Sequence, residues 1–190
     1  MSEFILSYYQ YIVIAHVFFM AIGVGGATVT DVLFLKFLRD NNMSRQQLVV
    51  MDTLSQVIWA ALVGILVTGL VIFLPQASDL LENSKFLAKM SVIGVLIVNG
   101  VLLNVKIAPK MHLIFSVNKD LNPAWLQRTR RLAFALGAIS IVSWYSAFLL
   151  GSLRSIELSY FQLISIYISL LVFGLVGSQI SERLFAKQLR

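Results

Sequence analysis

Long apolar runs, each close to the length that crosses a bilayer and each closed by charge or proline, set the pattern of this chain. A hydrocarbon core about 30 Å thick takes about 20 helical residues to cross. Five stretches meet that length: residues 11–35, closed by Lys36 and Arg39; 53–74, stopped at Pro75; 86–107, before Pro109; 132–151; and 160–180. The pattern predicts an all-α fold, a polytopic bundle of five transmembrane helices forming one domain over residues 1–190. Links between the runs are short except for 106–131. There Pro109, Pro123 and an amphipathic stretch at 111–115 suggest a segment lying along the membrane surface. The N-terminal Met-Ser-Glu lacks the basic region of a cleavable signal, so the first run is expected to persist as a helix.

Composition agrees with this pattern. Of 190 residues, 58% are hydrophobic and 13% charged, against about 45–50% apolar in ordinary soluble domains. There is no cysteine, which excludes disulfide scaffolds, thiolate metal sites and thiol nucleophiles. The net charge of +6 is positional. Of the 15 lysines and arginines, all but Lys85, Lys89 and Arg154 fall at one end of the predicted spans. Cytoplasmic loops concentrate Lys and Arg, so the N-terminus is expected outside and the C-terminus in the cytoplasm. The basic excess then describes orientation and gives no reason to expect a nucleic-acid partner.

Ionisable groups inside a span are costly and mark functional positions. His16 and Asp31 share one helical stripe with Met20, Gly23, Ala27 and Phe34, at spacings of 4, 3, 4, 4 and 3, a face expected to point into the bundle. Asp31 reads either as a carboxylate bonded to Thr28 or paired with Lys36, Asn104 or Lys106, or as a proton or ion relay. His16 reads either as an imidazole bonded to a backbone carbonyl or as a ligand to haem iron or copper, with Met20 or Met90 as an axial thioether. Lys89, at comparable depth, reads as a ligand, an anion partner or a snorkelling cation. His112 reads as interfacial. The stripes Asp52, Gln56, Trp59, Val63 on the second span and Gly137, Ser140, Trp144, Ala147, Gly151 on the fourth are expected to form a polar, aromatic-lined interior. With Asn99 and Asn104 on the third span, they border either a cofactor pocket or a hydrated path. The glycines at 23, 25 and 26 and at 174 and 177 read as close-packing faces, within the bundle or between copies in a homo-oligomer. No nucleophilic triad is present: Ser143 has no histidine at its depth.

His16 followed after eight residues by Gly25–Gly26 resembles the opening of the copper-resistance CopD-type membrane proteins of bacteria. Thr68–Gly69–Leu70, Lys89, and Asn104 with Pro109 look like that family's later features, so the likeness covers residues 15–109. A wider resemblance is to small b-type cytochrome membrane proteins. These likenesses imply the bacterial inner membrane and haem b or copper held between helices through His16. They also imply electron transfer between quinone and a redox partner, or metal handling. Two other functions follow from the residues alone. One is a small ion or proton-coupled channel or transporter using Asp31, Gln56, Asn99 and Asn104. The other is a non-catalytic subunit of a membrane complex.

Overall fold

A computed structural model describes residues 3–39, 44–114, 123–153 and 157–188. Among them the secondary structure is helical throughout: α1 (Glu3–Arg39), α2 (Arg45–Phe73), the short α3 (Ala77–Leu81), α4 (Ser84–Leu102), the single turn α5 (Met111–Ile114), α6 (Pro123–Ser152) and α7 (Tyr160–Gln188). The five long helices are each apolar and long enough to cross a membrane. They overrun the apolar stretches at their ends, because a helix continues into the interface for as long as its caps and propensities allow.

The stops are legible in local chemistry. Ser44 caps α2 in a reciprocal box: the Gln47 amide donates to Ser44 Oγ at 3.2 Å while the Ser44 amide donates to Gln47 Oε1 at 2.8 Å. Ser159 and Gln162 repeat the device at the start of α7. Asn83 Oδ1 accepts from the Lys85 and Phe86 amides and starts α4. Pro75 opens the 3-10 turn that ends α2.

α1 packs along α2, and α6 packs against α1, α4 and α7. Two buried clusters hold the bundle. One joins Met20, Leu62, Ile65, Val92, Leu96, Trp144, Ala147 and Tyr167 across the middle. The other, toward the end that carries Lys36, Lys106 and Arg130 (the basic end), joins Phe37, Met51, Ile107, Ala133, Phe134 and Leu136. Met111 packs on this second cluster, so the start of α5 tucks under the bundle; residues 115–122 lie outside the described residues.

The outward faces are strongly apolar, with Phe161 79% and Phe173 81% exposed. Such a surface is untenable in water and natural in lipid, which makes this an integral membrane protein. Since lipid is as apolar as leucine, helix association here rests on close fit. Gly23 receives the Trp144 ring and Gly64 the Phe19 ring, each so closely that a Cβ would lie under 3 Å from ring carbons. Span hydroxyls donate largely to their own helix, as Thr28 does to Val24 O and Ser143 to Ile139 O.

Candidate functional site

Between α1, α2, α4, α6 and α7, toward the basic end, lies a partly open cavity of about 350 Å³. Its wall is mainly apolar and aromatic, with Phe34, Trp59, Phe134 and Trp144 among the lining side chains. Phe34 and Phe134 meet edge to face with ring centroids 5.6 Å apart. Asp31 is the one charged side chain among the lining residues. It comes from α1 over Gly137 of α6, where Oδ1 is 3.6 Å from the position a Cβ would take, an ordinary contact distance. Among the described residues, no hydrogen bond or ion pair reaches the Asp31 carboxylate.

The nearby hydroxyls do not compensate it. Thr30, Ser178 and Ser181 line the cavity but donate to Gly26 O, Leu175 O and Gly177 O of their own helices. Thr28, expected as a partner, donates to Val24 O and meets Tyr145 Oη at 3.1 Å. Lys36 and Lys106 are exposed. Both ion pairs found among the described residues lie on Glu182 instead.

His16 sits on the same helix about 22 Å away, at 1.5 Å per residue. Its Nδ1 lies 2.8 Å from Thr68 Oγ1. The Thr68 hydroxyl also donates to Gly64 O at 2.6 Å, which leaves its oxygen able to accept from the ring. Gly69 leaves the ring its space, a Cβ there falling 3.3 Å from His16 Cε1. The Lys89 ammonium lies 5.5 Å from the Phe86 ring centroid. Met20 is buried, whereas Met90 is 40% exposed and turned outward. The central cluster around Val92 and Trp144 separates this polar zone from the Asp31 cavity.

The other expected lining residues part company. Asn99 is buried in the bundle and does not line the cavity: Nδ2 donates to Leu136 O at 3.0 Å, and Oδ1 has no partner. Asn104 is exposed, because five residues carry it about 140° around a helix and the turn Leu103–Ile107 is π-helical. Gln56 is exposed and donates to Asp52 Oδ2 at 3.0 Å, with Val63 on the same outward face. Met51, Ile58, Leu62 and Ile65 are the inward side of α2. Gly23 and Gly26 are used inside the bundle, while Gly25 and Gly177 meet nothing within 4 Å. The His112 side chain lies outside what is described.

One cluster escapes the sequence reading. Glu182, wholly buried, accepts from Arg130 Nε at 2.8 Å and Arg131 Nε at 3.4 Å, clasping α7 to α6 beside the cavity. The available signal was a carboxylate at the basic end of the last span, level with the Arg130–Arg131 pair. No family model, curated protein or solved structure matches the chain.

Proposed function

We propose that this chain is a small proton-coupled carrier that takes its substrate into the Asp31 cavity. The observation that carries the reading is the unpartnered carboxylate in an apolar intramembrane cavity. A half-buried carboxylate at membrane depth calls for one neutralising cation, and an exchange site supplies it alternately as a proton and as a substrate group. The apolar cluster between Asp31 and His16 makes the arrangement a cavity with a barrier, which suits a carrier better than an open channel. With the basic end in the cytoplasm, the cavity lies in the inner half of the bilayer.

Proteoliposomes loaded with a pH-reporting dye test this. Within a panel of small amphiphiles, cationic and neutral, added externally, some are expected to move protons in the wild type and not in Asp31→Asn. Equal proton movement in both, or none in either, removes the reading.

A second reading keeps haem b or copper at His16, serving electron transfer with quinone or metal handling. It is supported by the Nδ1 bond to Thr68, which holds the ring in one orientation, as the outer hydrogen-bond partners of ligating histidines do. The chain offers this position one imidazole and the neighbouring Met20 thioether. Among the described residues no three metal-ligating His, Asp or Glu side chains lie together; Met20, one turn along the same face of α1, could join His16 on copper, whereas a haem would need His16 of a second copy. Protein purified from haem-replete cells would then show a Soret band that His16→Ala abolishes; a colourless, copper-free preparation decides against it.

A further inference from the structure

Resting on the carrier reading and deepening it, we infer that the substrate is a lipophilic organic monocation bearing aromatic or other bulky apolar groups. Three features of the cavity carry this. The first is charge: among the described lining residues Asp31 alone is ionisable as an anion, and none of them is a lysine, arginine or histidine. An anionic ligand would therefore meet repulsion and no counter-charge, and a dication would bring one charge too many.

The second is the wall itself. Indole and phenyl faces attract cations through their quadrupoles, most strongly where water is excluded. Trp59, Trp144, Phe34 and Phe134 surround a volume in the range that holds a drug-sized ligand. The third is the state of the lining hydroxyls. Of the five hydroxyls on the wall, those of Thr30, Ser178 and Ser181 already donate to backbone carbonyls and so present oxygen lone pairs to the cavity, while Ser55 and Ser140 can turn either way, so most of the lining hydroxyls suit a positive guest. A ligand that is a cation at one point and hydrocarbon elsewhere satisfies all three, and its binding releases the one proton it replaces on the carboxyl group.

Tetraphenylphosphonium and tetraphenylborate, nearly equal in shape and opposite in charge, test the sign directly on purified full-length protein in mild detergent. Two of the three tryptophans line the cavity, so intrinsic fluorescence serves as a readout beside equilibrium dialysis. Tetraphenylphosphonium is expected to bind saturably and to lose about 30-fold or more in affinity in Asp31→Asn, as when one partner of a buried charge pair is removed. Tetraphenylborate is expected to show no component that Asp31 controls. Trp59→Leu, which leaves the charge in place, is expected to weaken the cation several-fold.

Equal affinity of tetraphenylphosphonium for wild type and Asp31→Asn would overturn the inference, as would tetraphenylborate binding as tightly as the cation, or saturable binding of neither. Because binding is read in detergent without a gradient, these outcomes are separate from the proton movement in liposomes. A carrier of neutral amphiphiles would pass the liposome test and fail this one.

Discussion

Glu182→Ala is expected to lower the Tm in mild detergent by about 6–20 °C. The carboxylate is wholly covered and clasped by Arg130 at 2.8 Å and Arg131 at 3.4 Å. Breaking a buried pair by removing one partner costs about 3–5 kcal/mol, because the other charge stays buried and uncompensated. For chains near this length, 1 kcal/mol moves Tm by about 2–4 °C. The two arginines should differ. Arg130, with a side chain 11% exposed, has little access to water; Arg131, 45% exposed, has ample access.

Arg131→Gln is therefore expected to cost under about 1 kcal/mol, as exposed ion pairs do. Arg130→Gln should approach the Glu182 effect. Combining Glu182→Ala with Arg130→Met should recover most of the loss, since removing both charges leaves neither stranded. Equal losses from Arg131→Gln and Glu182→Ala would contradict the buried clasp.

Gly23→Ala carries the second large effect, and its sign is opposite to the usual one. In a helix interior the change from glycine to alanine ordinarily helps by about 1 kcal/mol. Here the added Cβ would lie 2.3 Å from Trp144 Cη2 and 2.4 Å from Cζ3. That ring is 1% exposed in the central cluster, and the free space beside it is the Asp31 cavity, so the indole could yield only by intruding there. Overpacking of this kind costs about 1–3 kcal/mol, which should appear as a lower Tm together with parting of α1 from α6.

Gly25→Ala is the internal control. Two residues along the same helix, it meets nothing within 4 Å and should be neutral or mildly stabilising. Trp144→Phe, which removes the far ring of the indole, should relieve Gly23→Ala. If both alanine variants behaved alike, the close approach of α1 and α6 at Trp144 would be wrong.

These two predictions also mark where sequence reasoning stops. Gly23, Gly25 and Gly26 look alike as a small-residue cluster, yet Gly23 meets Trp144, Gly26 meets Ile58 and Gly25 faces outward. The stripe Asp52, Gln56, Trp59, Val63 has sound helical spacing, but the structure turns Gln56 and Val63 outward and puts Met51, Leu62 and Ile65 inside. Asn99 and Asn104, grouped by type, point apart. The stripe on α1 fared better: Met20, Gly23 and Ala27 are buried, and Asp31 and Phe34 line the cavity.

By itself the sequence determined what water and lipid decide along the chain: five apolar runs of bilayer length, their polar stops, the exclusion of thiol chemistry, and one carboxylate within the first run. Only the tertiary structure decided which face of each helix turns inward, that Asp31 finds a cavity and no partner among the described residues while Glu182 finds two arginines, and that His16 meets Thr68. The physical reason is the solvent. In water, the contrast between apolar and polar faces fixes a helix's rotation. In lipid, both faces are apolar, so rotation is set by the shape of contacts such as the Trp144 ring on Gly23, and that complementarity spans residues far apart in the chain.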